Sequence, residues 1–119
     1  MATPSSKGGF ATFGGPDGSS VSLSGSTITH NEADGGKGGV GGNGGDGEGG
    51  GAFVGTGATL AVTGSTIAYN KAEGGVGVAG GSNGQGEGGG VYHDGTFTFD
   101  VTTVIAHNHA STSGDDIFS

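Results

Sequence analysis

The side chains of this chain that could do chemistry are four histidines and eleven acidic residues, because cysteine is absent. His30 and His107 share one position of a repeating pattern, with Tyr69 at that position between them. If successive copies stack about 4.8 Å apart, the two imidazoles lie roughly 10 Å from each other, too far to share a metal ion. His107 and His109 would share a face of one strand but lack further ligands. These residues are better interpreted as solvent-facing polar groups, and no metal site is predicted.

Acidic residues in one glycine-rich stretch match a calcium-binding repeat only weakly. Residues 41–48 read Gly-Gly-Asn-Gly-Gly-Asp-Gly-Glu, close to the GGxGxDxUx nonapeptide of parallel β-rolls. Glu48 stands where that motif needs an apolar residue, and the equivalent residues 80–87 lack the aspartate. Stacking would place Glu48 beside Glu87, and two close carboxylates repel unless they are protonated, solvated or bridged by a cation. Asp46, Glu48 and Glu87 are therefore weak calcium candidates, and no cofactor is predicted.

A sequence repeat must position all of these groups. The motif Gly-Ser-Thr-Ile-Ala-Tyr-Asn-Lys-Ala at residues 64–72 has one earlier copy and one later, shortened copy. Its asparagines are Asn31, Asn70 and Asn108, which are 39 and 38 residues apart. A fixed period of this length predicts a repeat architecture.

Each repeat offers three short strands, with turns between them and no helical periodicity. One such unit cannot bury its apolar side alone, but stacked copies can. We therefore predict an all-β solenoid of three coils rather than a small sandwich, which has no reason to keep a fixed offset. The predicted inward columns are Leu23–Leu60–Phe97, Val21–Val62–Phe99 and Ile28–Ile67–Ile105.

Further expectations follow from aligning the repeats. The asparagine column should stack its amides at a corner of left-handed backbone. Phe53 and Tyr92 fall at predicted inward positions. The third repeat gains about one residue between Phe99 and Ile105, where we expect a bulge.

Residues 1–7 form a predicted polar leader, and residues 8–119 form a single solenoid domain. Two glycine-rich blocks, residues 35–51 and 74–90, interrupt the repeats at the same place. A three-residue period suits the extended polyglycine-II helix, and glycine allows neighbouring chains to approach closely. Flexible linkers are the alternative. The matched length and placement of the blocks favour ordered, paired excursions.

Composition excludes several classes of partner. The chain has 119 residues, a net charge of −8, three lysines and no arginine, which argues against nucleic acid and anionic membrane surfaces. No apolar run is long enough to predict membrane insertion. With 29% hydrophobic residues, only a narrow, elongated core can form.

The repeat resembles the GGA(I/L/V) and FxxN motifs of chlamydial polymorphic outer-membrane proteins. Gly49–Ala52 and Gly88–Val91 carry the first motif. The second is carried, with Ile in place of Phe, by Ile28–Asn31, Ile67–Asn70 and Ile105–Asn108. More generally the chain is similar to right-handed parallel β-helix repeats of bacterial surface and autotransporter passenger proteins. The resemblance implies a right-handed parallel β-helix and an extracellular or cell-surface location. Unlike such proteins, which usually stack many coils, this chain has three.

No enzyme is predicted. Hydrolases on this kind of solenoid need close pairs of carboxylates, and lyases on it rely on a basic residue with calcium-binding aspartates. The chain has no arginine, and its candidate carboxylates all fall in one repeat. They are Asp94, Asp100, Asp115 and Asp116.

The two ends of the solenoid carry the functional prediction. The first coil is predicted to begin at Gly8, Gly9 and Phe10 and the last to finish at Ile117 and Phe118, and neither end looks strongly capped. With a nearly whole number of coils, copies could stack head to tail into a filament. We therefore predict a non-enzymatic extracellular structural protein that polymerises through its coil ends.

Two alternatives remain open. The first is a surface adhesin segment that binds glycans or a host receptor, against which the aromatic residues mostly fall at inward positions. The second is ice binding through a Thr27–Thr66–Thr103 column, against which the irregular third repeat counts.

Overall fold

A computed structural model describes residues 6–7, 11–13 and 19–119. Within these residues there are sixteen strands and no helix. All strand pairs are parallel and join equivalent segments of successive repeats. The prediction of a parallel β-solenoid of three coils is confirmed.

The strands stack into five sheets. The base sheet contains β1 (Ser6–Lys7), β6 (Gly47–Glu48) and β11 (Gly86–Glu87). The first wall contains β2 (Ala11–Phe13), β7 (Ala52–Val54), β12 (Val91–His93) and β16 (Ile117–Phe118). The second wall contains β3 (Ser20–Ser24), β8 (Thr59–Thr63) and β13 (Thr96–Phe99). The third wall contains β4 (Thr27–Thr29), β9 (Thr66–Ala68) and β14 (Val104–Ala106). The corner sheet contains β5 (Glu32–Asp34), β10 (Lys71–Glu73) and β15 (His109–Ala110).

The core is a narrow stack of inward side chains. Ile28 and Ile67 are 1% and 0% exposed, and Ile105 packs against them half-buried. The same cluster is completed by buried Ala52, Val54, Ala58, Leu60, Val62 and Val91. Burial of these apolar side chains along one axis stabilises all three coils together.

The register in the second wall corrects two predicted columns. Val21 lies over Leu60 and Leu60 over Phe97. The neighbouring column is Leu23–Val62–Phe99. Alternate strand residues share a face, so the predicted columns contained the right inward residues with partners displaced by two positions.

The extra residue of the third repeat lies in a turn and not in a bulged strand. Asp100 follows β13, and its carboxylate accepts hydrogen bonds from the hydroxyls of Thr102 and Thr103, each at 2.8 Å. The wider turn keeps Thr103 below Ser65, whose N–H donates to the Thr103 hydroxyl at 3.3 Å. Val104 therefore takes the position below Thr66. The predicted threonine column for ice binding is wrong in its third member, because Thr103 is buried in the turn.

The asparagines form a ladder along one corner. The backbone N–H and the side-chain amide of Asn31 both donate to Asn70 Oδ1, each at 3.0 Å. Asn70 donates in the same way to Asn108 Oδ1, again at 3.0 Å. Left-handed backbone occurs one residue earlier than predicted, at His30, Tyr69 and His107, with φ of 58°, 57° and 59°.

Phe53 and Tyr92 do not point into the core, contrary to the prediction. Ala52 and Val54 belong to the core cluster, so Phe53 between them faces the other side of the first wall. There Phe53 stacks on Tyr92 with ring centroids 5.2 Å apart, and Tyr92 stacks on Phe118 at the same distance. Burial, together with the charges of Asp94 and Glu48, raises the pKa of Tyr92.

The glycine arms, residues 35–46 and 74–85, lie against each other through backbone hydrogen bonds. Gly38 N–H donates to Val76 O and Gly44 N–H to Ser82 O, each at 2.8 Å. A Cβ at Gly75 would lie 2.1 Å from Gly36 O. Only glycine permits this approach. The arms are thus packed backbone to backbone.

Candidate assembly surface at the ends of the solenoid

The end of the solenoid nearest the C-terminus is uneven, because one wall extends one strand further than the others. The first wall has four strands, whereas the second and third walls have three each among the described residues. The additional strand is β16, in which Ile117 lies below Val91 and Phe118 below Tyr92. The predicted near-whole number of coils is thus corrected by one strand, because Ile117 and Phe118 begin a fourth layer. Gly8, Gly9 and Phe10, predicted at the other end, lie outside the described residues.

The half of this end formed by the second and third walls is open. Within the described part of the chain, β13 and β14 each pair with one strand only. Phe99 is 49% exposed here, whereas Val91 in the first wall is fully buried above Ile117. The inward residues Phe97 and Ile105 are half-buried, whereas Val104 is 52% exposed because it faces the outside of the third wall. Unpaired strand edges beside apolar side chains are a template for another strand.

The other half is covered by residues 111–118, called the tail below. Gly90 and Val91 donate their N–H groups to the carbonyls of Asp115 and Asp116, at 3.1 and 2.9 Å. The Ser111 hydroxyl accepts from Gly74 N–H at 3.1 Å, where the chain makes no third glycine arm. The tail therefore supplies hydrogen-bond partners that a further coil would otherwise provide.

The carboxylates of the tail complete the asparagine ladder. Asp116 Oδ1 accepts from the side-chain amide of Asn108 at 2.9 Å and from its backbone N–H at 3.3 Å. These are the two bonds that each earlier asparagine donates to the next. Asp115 Oδ1 accepts from Ala110 N–H at 2.9 Å and lies 3.6 Å from His109 Nδ1. The two aspartates thus occupy the side of the corner sheet on which none of the described strands lies.

The sequence contains a signal for this cap, which the side-chain pattern of the repeats does not reveal. Residues 88–92 read Gly-Gly-Gly-Val-Tyr, and residues 114–118 read Gly-Asp-Asp-Ile-Phe. Gly88 and Gly114 share left-handed backbone, with φ of 67° and 70°. Two glycines of the third repeat, Gly89 and Gly90, are therefore replaced by aspartates in the last copy.

At the opposite end, the first coil presents a strand of the second wall, of the third wall and of the corner sheet. Among the described residues, β3, β4 and β5 each have one strand neighbour. Val21 and Leu23 are half-buried, and they lie in the columns of Phe97 and Phe99. This end therefore matches the open half of the other end in register and in the character of its inward side chains.

Charges alternate along the corner sheet. Lys71 Nζ lies 3.1 Å from Glu32 and 2.9 Å from Glu73, and its hydrogen bonds to Glu73 and then Glu32 raise its pKa. Burial, followed by the charge of Glu32, raises the pKa of Asp34. Carboxylate oxygens of Glu32, Asp34 and Glu73 lie within 4.8 Å of one another, but a lysine already contacts two of the three. The next residue in the column of Glu32 and Lys71 is His109.

The predicted calcium candidates are brought close together at the base of the arms. Glu48 and Glu87 are register partners in the base sheet. Asp46 Oδ1 accepts a hydrogen bond from Gln85 N–H at 2.8 Å. Burial, and then the charges of Glu48 and Asp46, raise the pKa of Glu87. The prediction that these residues are only weak calcium candidates is not tested by this geometry.

An exposed aromatic ladder runs beside the asparagines. His30 stacks on Tyr69 with ring centroids 5.5 Å apart, and Tyr69 stacks on His107 at 5.3 Å. Tyr69 separates the imidazoles, as the repeat indicates. The rings cover each other's faces, so a sugar ring could stack only on the two terminal rings.

The described residues contain no pocket and no helix long and apolar enough to cross a membrane. The chain matches no family model, no curated protein and no solved structure.

Proposed function

We propose that this protein is a non-enzymatic structural protein that assembles head to tail along the solenoid axis. The observation that carries the proposal is the pair of open edges β13 and β14, with Phe99 exposed and Phe97 and Ile105 only half-buried beside them. A copy that adds its β3 and β4 to these edges would continue the parallel pairing of the second and third walls. Such a contact joins different surfaces of each copy and, since it does not close, produces a filament.

The matching columns support a second copy as the occupant. In the second wall, Val21 of an added copy would lie below Phe97, as Leu60 lies below Val21 within the chain. In the corner sheet, Glu32 of the added copy would follow His109 in a column that already pairs Glu32 with Lys71. A net charge of −8 opposes association through the sides of the coils. The extracellular setting of this proposal rests on the resemblance of the repeats alone.

A disulfide across the proposed junction tests both the contact and its register. Ser22 and Thr98 are exposed on the outer face of the second wall, in one column with Ala61 between them. Within one chain they are two coils apart, roughly 10 Å, too far for a disulfide. Across a head-to-tail junction they are one coil spacing apart, about 4.8 Å, which suits a disulfide.

The double variant Ser22→Cys, Thr98→Cys should give a ladder of covalent multimers on oxidation over a concentration series. Each single variant is the matched control and can form dimers only. Electron microscopy of the same samples should show unbranched filaments with an axial rise near three coil spacings, roughly 14 Å. Dimers of Thr98→Cys alone would indicate tail-to-tail pairing instead. The proposal is wrong if neither the intact chain nor a chain ending at Ala110 gives multimers at any concentration.

A further inference from the structure

The tail occupies the place that an added copy needs. In register, the β2 strand of that copy would enter the fourth layer of the first wall, where β16 already pairs with β12. Both strands belong to the same column of the same sheet. Therefore β16 and an incoming β2 cannot both lie below β12.

The aspartates of the tail also take the positions of two side chains of the incoming coil. Asp116 Oδ1 accepts the two hydrogen bonds that Asn31 of an added copy would accept from Asn108. Asp115 lies beside His109, where the Glu32 of that copy would arrive. The tail is an intramolecular imitation of the first coil of the next copy.

Side-chain volume adds to the exclusion. Asp116 is in register below Gly90, which lies against Asn108 of its own coil. A Cβ at Gly90 would come within 2.9 Å of Asn108 Nδ2, so this position and the asparagine of the same coil lie in close contact. Asp116 has a side chain there, and an asparagine seated in the fourth layer would collide with it.

We propose that residues 111–118 form a displaceable stop, which limits head-to-tail assembly until it leaves the end of its own solenoid. The inference rests on the proposed function, since it names how that contact is regulated. It predicts that the covered half of the end, and not the open half, controls the concentration at which filaments appear.

The experiment compares the intact chain with a chain ending at Ala110, both carrying Ser22→Cys and Thr98→Cys. Without the tail, the concentration at which multimers appear should fall by about tenfold or more, because the competing contacts are lost. A second variant keeps the tail and changes only Asp116→Gly, the residue that the second and third coils carry at this position as Gly51 and Gly90. It should lower the threshold by a smaller factor. Circular dichroism checks that each variant keeps its β structure.

A peptide in trans tests the stop without altering the tail of a folded chain. A synthetic peptide of residues 111–119, added to the chain ending at Ala110, should suppress multimers. A control peptide with Asp115→Ser and Asp116→Ser should not.

Two results would overturn the inference in different ways. If both chains assemble at the same threshold, the stop is wrong while the proposed function stands. If neither chain gives multimers, the proposed function fails and the stop fails with it.

Discussion

In the walls of the coils, strands about 4.8 Å apart enclose side chains such as Leu60 and Ile67, both fully buried. In the glycine arms the space between segments is filled by backbone, and a Cβ at Gly44 would lie 1.9 Å from Gly75 O. Both regions satisfy backbone hydrogen bonds through neighbouring copies of the repeat. The walls can therefore change the size of an inward residue from coil to coil, as Val21, Leu60 and Phe97 do. The arms cannot accept even a methyl group where they meet.

The largest loss of stability is expected in the walls, from a substitution in the asparagine ladder. Asn70 is 1% exposed, donates to Ile28 O at 2.9 Å and both donates to and accepts from its neighbours in the ladder. Asn70→Ala leaves several buried groups without partners, and we expect a loss of about 3 kcal/mol in the free energy of unfolding. Urea denaturation followed by circular dichroism measures it. The control is Tyr69→Asn, an exposed neighbour with left-handed backbone that asparagine tolerates. Equal losses in the two variants would contradict a special role for the ladder.

The next largest loss of stability is expected from a substitution in the glycine arms. Gly75→Ala places a Cβ 2.1 Å from Gly36 O and 2.6 Å from Gly35 O, and backbone atoms cannot move aside singly. We expect a loss of about 2 kcal/mol, confined to the arms. Hydrogen exchange should show amides of residues 35–46 and 74–85 losing protection while the walls keep theirs. Gly41→Asn is the control, because its φ of 72° suits asparagine and nothing lies within 4 Å of the added Cβ. Loss of protection throughout the chain would show instead that arms and walls unfold together.

These two regions also differ in how far the sequence predicts them. The period between Asn31 and Asn70 is sufficient to predict the stacked coils, because stacked copies must place equivalent residues in columns. The side of the wall that Phe53 faces could not be read from its hydrophobicity, since an outward aromatic ladder buries apolar surface as well as the core does. Residue propensity predicts left-handed backbone at asparagine, but the ladder needs the Asn70 side chain inward, and Tyr69 adopts that conformation instead.

The cap was the least visible feature. Asp115 and Asp116 attract attention in a sequence as acids, whereas their role follows from the glycines they replace. The two aspartates are identified when the repeats are aligned by backbone position and not by the chemical type of their side chains.

A smaller loss of stability is expected from removing a buried hydroxyl group in the walls. Ser65 is 2% exposed, and its hydroxyl accepts from Ser26 N–H at 2.9 Å and donates to Thr63 O at 2.8 Å. Ser65→Ala should cost about 1 kcal/mol, less than Asn70→Ala because fewer buried groups lose partners. Ser22→Ala, on the exposed outer face, is the matched control. A loss as large as that of Asn70→Ala would mean that the hydroxyl column and the asparagine ladder stabilise the coils equally.

The smallest effect is the dependence of stability on pH, which is expected to have opposite signs at the base of the arms and in the walls. Burial, and then the charges of Glu48 and Asp46, raise the pKa of Glu87 above its ordinary 4.5. Its contribution to stability is thus fully present below that ordinary value and is lost as pH rises through the raised pKa. Glu87→Gln should therefore be more stable than the unsubstituted chain at neutral pH, with the gain disappearing in acid.

Asp100 in the wall turn supplies the opposite case. The hydrogen bond from Gly64 N–H, and then those from Thr103 and Thr102, lower its pKa below the ordinary 3.8. Its contribution is present above that ordinary value and is lost as pH falls through the lowered pKa. Asp100→Asn should therefore be less stable than the unsubstituted chain at neutral pH and equal to it in strong acid. Thermal unfolding of both variants across pH 2 to 7 measures whether each substitution raises or lowers stability at each pH. A gain for Asp100→Asn at neutral pH would mean that repulsion among carboxylates, rather than donation by the turn, governs that site.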